Sequence, residues 1–287
     1  MPPPVAARLD TLQRRLGEAL FARVAGPEGP ANRARFAAAG PRWFDADRPI
    51  RQVHGDAAMF VGGLRALLLQ SLHPQAMIAV AQHSDYRNDP WGRLQRTSTF
   101  LAATTYGTAD DAQRAVDRVR RVHQHITGTG PDGAPYRADD PHLLRWVHVA
   151  EADSFLCCHQ RYGVRPLDAA GCDGYVADAA RIARALGVPD PPQTRRELAA
   201  ALDAYRPELR AIPQAREAAR FLVWNPPLPL LARGPYAMLA ATAVAELPAW
   251  ARRELRLPRP HPLESVLVPP VGHGIVNGVR WVMRGRR

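Results

Sequence analysis

Thr108–Thr127 reads TADDAQRAVDRVRRVHQHIT, and Asp140–Tyr162, one turn-rich loop later, reads DPHLLRWVHVAEADSFLCCHQRY. The first stretch opens as a helix opens. Thr108 offers a side-chain cap, Asp110 and Asp111 place negative charge on the first turn, and Gly128 marks an end. Its apolar residues Ala112, Ala115, Val116, Val119, Val122 and Ile126 recur at the three-and-four spacing of one buried stripe. His123 falls inside that stripe, whereas His125 is turned about 200° around the axis, beside Arg118 and Arg121 on the wet face. The second stretch is apolar all round. Leu144, Val147, His148, Glu151, Phe155, Cys158 and Tyr162 share one side, with Trp146, Val149 and Leu156 on the other, the pattern of a central buried helix.

Helical punctuation continues outward from this pair. Val5–Val24 is amphipathic and is broken by Gly26–Pro30. A segment from Pro49 runs through Val53, Phe60 and Leu64 to Leu72, where His73-Pro74 stops it. Further helices are expected at Gln75–Gln82 and Gly92–Tyr106. Beyond the central helix, the pattern repeats at Asp168–Leu186, Thr194–Tyr205, Pro213–Val223, Pro229–Ala245 and Pro248–Leu255. Prolines at first turns or just past helix ends account for much of the total of 28. No period-two alternation with regular turns appears, so no strand is expected. The reading is all-α, a single helical domain. An N-terminal helix and arm occupy 1–48, a helical core 49–187, and C-terminal helices packing on that core 188–287.

Composition removes whole classes of chemistry. All 38 basic residues among the 287 are arginine, against 27 acidic ones, for a formal net charge of +11. Without lysine there is no Schiff-base amine, no pyridoxal-phosphate site and no Walker-type phosphate lysine. Arginines interleave with Asp and Glu along the whole chain, and no RNA-recognition signature, zinc finger or basic arm is visible, so no nucleic-acid partner is expected. An Ala-, Arg- and Pro-rich chain without lysine reads as codon bias of a GC-rich genome, while its positive surface suits peripheral contact with anionic lipid. Cys157 and Cys158 are adjacent and Cys172 is distant, neither a disulfide framework nor a CxxC metal site, which makes a cytoplasmic, reducing setting the expectation. Met1–Leu20 lacks the apolar core and cleavage site of a secretory signal. Met59–Leu72 and Leu228–Val244 are interrupted by Gly, Arg or Pro, short of the roughly 20 clean residues of a membrane span.

Candidate chemistry gathers on inward faces. Burying His148 and Glu151 three residues apart needs a reason: a mutual hydrogen bond or ion pair, a polar pocket wall, or metal ligation. With His123 they could compose a two-histidine, one-carboxylate metal site; no HExxH pair and no paired Glu-x-x-His units are present. On 92–106, Arg93, Thr97, Phe100, Leu101 and Thr104 lie on one side with Arg96 at its edge, either a solvated helix start or a seat for an anion beside an apolar wall. Gly62 and Gly63 interrupt an apolar helix at about 1 kcal/mol each relative to Ala, which implies close approach of another helix or of a flat ligand.

The pieces follow one another in a distinctive order: Gly62-Gly63-Leu64-Arg65-Ala66-Leu67-Leu68-Leu69-Gln70, His73-Pro74, His83-Ser84, Arg93-x-x-Arg96-Thr97, His123-x-x-Ile126-x-Gly128, Tyr136-x-Ala138-x-Asp140-Pro141 and Trp146-Val147-His148. Over Pro49 to Gly187 this resembles the MpaB-type oxygenase family, whose relatives include the latex clearing proteins (rubber oxygenases) and the fungal oxygenase that trims a farnesyl chain in mycophenolic acid synthesis. The resemblance implies a globin-like all-α core around a b-type haem, and dioxygen-dependent cleavage of a carbon–carbon double bond in an isoprenoid chain. By that resemblance His123 is the proximal ligand of the haem iron, with His148 the runner-up. Arg93 and Thr97 match the family's pocket motif, and Gly63 joins them in the cofactor-binding set. Arg96 stands where rubber oxygenases carry a lysine; a guanidinium is no iron ligand and no base at neutral pH. The distal glutamate of rubber oxygenases has no counterpart near Met77, which leaves His83 or Glu151.

The function expected is a haem b-dependent oxygenase that uses dioxygen on an apolar small molecule carrying an alkene or prenyl group. Arg96 and Thr97 are its candidate catalytic residues, and Phe60, Leu64, Phe100 and Leu101 its pocket wall. Two other classes stay open: a globin-like haem or gas binder without turnover, and a haem-free lipid- or isoprenoid-binding module in which His123 and His148 are structural.

Overall fold

Side-chain caps open five of the α-helices in the computed structural model, which describes residues 5–130 and 133–285. The elements in order are α1 (Val5–Ala25), α2 (Gly29–Phe36), α3 (Pro49–His54), α4 (Met59–Gln70), α5 (Pro74–His83), α6 (Pro90–Tyr106), α7 (Ala109–Gln124), β1 (Thr127–Thr129), β2 (Pro135–Arg137) and α8 (Pro141–Tyr162). They continue as α9 (Ala169–Leu186), α10 (Arg195–Ala204), a 3₁₀ turn (Arg206–Glu208), α11 (Pro213–Trp224), α12 (Leu230–Ala245), α13 (Ala249–Glu254) and α14 (Glu264–Arg284). Thr108 and Asp111 form a reciprocal capping box at α7. Asp89, Asp140, Asp168 and Thr194 cap α6, α8, α9 and α10 through their side chains. The architecture is all-α apart from one two-stranded hairpin.

Three expectations need correcting. The segment from Pro49 to Leu72 is two helices, because the chain turns at Gly55–Ala58 and Asp56 Oδ1 accepts a bond from the Ala58 amide at 2.8 Å. α7 stops at Gln124, short of Thr127, where the chain enters β1. That strand and β2 pair antiparallel, Gly128 opposite Tyr136, where no strand was expected; three-residue strands are too short to show a period. Beyond the helices expected above, α14 runs through Pro269-Pro270. Its Gly272 lies so close to α8 that a Cβ there would collide with the Tyr162 ring.

α8 is the axis of the bundle, packed on α4, α9 and α10. Gly62 makes the α4–α8 contact: a Cβ there would sit 2.8 Å from Phe155 Cδ1 and 3.2 Å from the Ser154 carbonyl oxygen. α12 packs on α4 and α14, closing a core that includes Leu68, Leu69, Trp146, Tyr162, Ala243 and Val276. A second helix pair, α6 with α7, does not pack closely on the α4–α8 pair. It is tied in at one end through α3, which touches α6, α8 and α9, and through α9, which touches α7. Side chains span the space instead, with Phe100 and Leu101 of α6 reaching the cluster that holds Met59 and Phe155. The gap between the two helix pairs positions the candidate site. Among the described residues no helix is long and apolar enough to cross a membrane.

Candidate active site

On α8 one stripe faces the gap: Leu144, His148, Glu151 and Phe155, at the spacing that keeps successive side chains in register on a helix. Val147, expected beside them, is exposed, and Cys158 and Tyr162 turn into the core on the α4 side. His148 Nε2 is buried without a hydrogen-bond partner. Burial, with some help from Arg145, pushes its pKa down to about 4, so the imidazole is neutral at pH 7. Glu151 makes no hydrogen bond or ion pair with the described residues, and burial alone pushes its pKa up to about 7. The mutual bond that would have explained this pair is not formed.

His123 sits half-buried on the last turn of α7 and His125 is exposed, its Nδ1 2.7 Å from the Arg121 carbonyl oxygen. The two neighbours therefore face opposite ways, as the stripe predicts, although Val122 from that stripe is exposed. His123 borders a small cleft of about 180 Å³ with Leu144, Leu186, Arg120 and Asp139. Its ring makes no hydrogen bond there, and burial lowers its pKa while Asp139 opposes that shift. Leu144, one turn before His148, is the α8 residue that borders this cleft.

α6 supplies the mouth. Arg93 is half-buried, donates from Nη1 to Ser84 Oγ at 2.7 Å, and has its pKa lowered by burial and then by Arg96. Arg96 is 66% exposed and pairs with Asp89 at 3.3 Å, so in this structure it points away from the gap. Thr97 is exposed and its hydroxyl donates to the Arg93 carbonyl at 3.1 Å. Gly63 differs from Gly62: a Cβ there would meet only Phe155 Cε1, at 3.8 Å, leaving room on the gap side. Phe60 is half-buried, while Leu64, expected on the pocket wall, packs into the opposite core with Leu68 and Trp146. His83 is drawn off to the hairpin, its Nε2 3.0 Å from the Tyr136 hydroxyl.

Sequence reasoning missed the floor of the gap. His54 on α3 places Nδ1 2.9 Å from Thr105 Oγ1 and stands edge-on to Phe155 and Tyr175, with ring centroids 5.4 and 5.9 Å away. Burial, then His159, pushes its pKa down to about 3. Its position one residue after the buried Val53 was the available signal, weak in a helix of only six residues. The non-haem reading of His123, His148 and Glu151 as one metal triad is not supported: among the described residues only His73, His142 and Glu208 bring three such ligand atoms within 4.8 Å of one another. A cleft of about 940 Å³ lies beside α3, where Arg33, Arg48, Arg51, Arg165, Arg280 and Arg284 outnumber Asp47 and Asp56. A cationic cleft of that kind does not suit an apolar substrate.

Residues 51–283 match the family model described as ER-bound oxygenase mpaB/B'/Rubber oxygenase, catalytic domain. The chain belongs to this oxygenase family. No curated protein and no solved structure matches it. The match runs from within α3 to within α14, so every wall of the gap in this MpaB/rubber-oxygenase family member lies inside the catalytic domain. Arg96 and its partner Asp89 both lie within the matched residues.

Proposed function

We propose that this family member is a haem b-dependent oxygenase acting on an apolar small molecule with an alkene or prenyl group, the haem seated globin-fashion in the gap between α6–α7 and α4–α8. What supports this reading is His148, whose Nε2 is buried without a hydrogen-bond partner on the same helix face as Glu151, with His123 at the cleft beside Leu144. Buried polar groups are ordinarily satisfied, so an orphaned imidazole beside apolar walls implies a group that meets it. Haem suits what is present: neutral imidazoles for iron, room for a side chain at Gly63, and Arg93 for the propionates.

When bound, haem supplies the activation of dioxygen. His123 would hold the iron, with His148 as the alternative ligand. Arg93 would pair with a propionate while keeping its bond to Ser84. Phe60, Phe100, Leu101 and Phe155 exclude water and give an alkyl or prenyl chain an apolar wall. Glu151, with a pKa of about 7, can take up or release a proton at its carboxyl oxygen at neutral pH. Arg96 would offer positive charge to the site only after leaving Asp89, and Thr97 would line the pocket wall with Arg93. The test is dioxygen uptake by the haem-loaded protein in the presence of prenylated alkenes. Uptake that requires the alkene is the expected result. Haem binding with no uptake across a panel of such substrates would overturn the enzyme reading in favour of a gas-binding protein.

A further inference from the structure

Away from the gap, where α8 begins, a second group of polar side chains lacks an explanation. His73 precedes Pro74 at the start of α5 and is only 4% exposed. Its Nδ1 has no partner, and its Nε2 lies 3.5 Å from Glu208 Oε2, too long for an ordinary hydrogen bond. A neutral imidazole carries one donor and one acceptor, and leaving both unmet inside the protein is costly. His142, the second residue of α8, points its Nε2 at the same carboxylate oxygen from 2.7 Å.

These three side chains come from segments far apart in sequence, and the backbone brings them together deliberately. The Arg210 amide donates to the Leu72 carbonyl at 2.9 Å, fastening the turn that carries Glu208 to the residue before His73. Asp140 caps the His142 amide at 2.7 Å. The Tyr205 hydroxyl donates to the His142 carbonyl at 2.8 Å and stands 3.4 Å from His142 Nδ1, holding Nε2 toward the centre of the group. A hydrogen-bonding group behind a ligating imidazole is the usual outer support of a metal-bound histidine.

We propose that His73, His142 and Glu208 form a binding site for a divalent transition-metal ion, Zn²⁺ being the best match. Two imidazole nitrogens and one carboxylate oxygen suit zinc and exclude the hard cations Mg²⁺ and Ca²⁺, which take oxygen ligands. His142 and Glu208 are half-exposed, so the fourth position opens to solvent and takes water. The ion ties the α4–α5 junction, the start of α8 and the 3₁₀ turn into one unit. It is separate from the haem reading, which uses other residues.

The experiment is calorimetric titration of the purified full chain with Zn²⁺, repeated with Mg²⁺, and a thermal melt of each sample. The expected result is one Zn²⁺ per chain at micromolar affinity or tighter and no response to Mg²⁺. Saturation at about 100 times Kd should raise Tm by about 5 °C. His142→Ala and Glu208→Gln, chosen because both side chains are half-exposed and dispensable for the core, should each weaken binding at least tenfold while melting cooperatively. His123→Ala should bind as the wild type does. Absence of binding by the wild type overturns the proposal. So does binding that survives both His142→Ala and Glu208→Gln, or binding lost in His123→Ala, which would place the ion in the gap.

Discussion

Arg65 and His148 are both polar groups buried at α8, and they differ in how they are engaged. Toward α4 and α12, Arg65 is 3% exposed and fully engaged: it donates to Ser154 Oγ at 2.6 Å and to the Glu246 carbonyl at 2.9 Å, and pairs with Asp153 at 2.8 Å. Glu246 in turn accepts from the Tyr162 hydroxyl at 2.5 Å and pairs with Arg161 at 3.2 Å. Arg252, also buried, pairs with Glu264 at 2.8 Å. Toward α6 and α7, His148, Glu151 and His123 have no such partners. An engaged network fixes one packing of the bundle, while unengaged groups raise the free energy of the fold unless something meets them. On the proposed function, that something is the haem.

The sharpest way to break this contrast is to remove one charge from each side. Arg65→Met should destabilise the protein by about 3–5 kcal/mol, because it strands Asp153, Ser154 and the Glu246 carbonyl. Glu151→Leu should leave stability unchanged or raise it; urea unfolding of the haem-free proteins distinguishes the two. A comparable loss in both variants would erase the contrast.

The next effect is a pH dependence. Glu151 titrates at about 7 in the folded chain against 4.5 when free, so between those values the folded state holds a proton that the unfolded state has released. Its contribution is therefore fully present below pH 4.5 and is lost as pH rises through 7, on the order of 3 kcal/mol in all. Denaturation of haem-free wild type and Glu151→Gln across that range should show the wild type losing ground to the variant as pH rises. A constant difference would mean that Glu151 has a partner after all. Smaller still is the contrast between adjacent glycines. Gly62→Ala should cost about 1–3 kcal/mol through contact with Phe155, whereas Gly63→Ala, facing the gap, should be neutral or up to about 1 kcal/mol stabilising through helix propensity. Paired thermal melts read both.

Much of the helical fold was legible because the punctuation is local. Thr108, Asp140, Asp168 and Thr194 announce helix starts that the structure keeps within a residue or two. α14 was not legible, since Pro269-Pro270 and three glycines argue against a helix locally, and only its packing on Tyr162 and α12 supports one. The inward turn of His123 and the His148–Glu151 stripe could be read from spacing alone, because a helix fixes which residues share a face. Spacing does not say which inward groups find partners on other helices. Leu64 turning away from the gap, Arg96 turning out to Asp89, and His54 forming the floor are all decided by contacts between elements distant in sequence. The same reason hid the cluster of His73, His142 and Glu208.

The account stands or falls on whether the gap takes haem through the inward histidine. The direct measurement is the visible absorbance of the full chain, before and after dithionite, following expression with haem supply and haem titration, for wild type, His123→Ala and His125→Ala. The prediction is a Soret band that shifts on reduction in the wild type and in His125→Ala, and its loss in His123→Ala. A wild-type protein that stays colourless after haem titration, or a band lost with His125 and kept without His123, would contradict it.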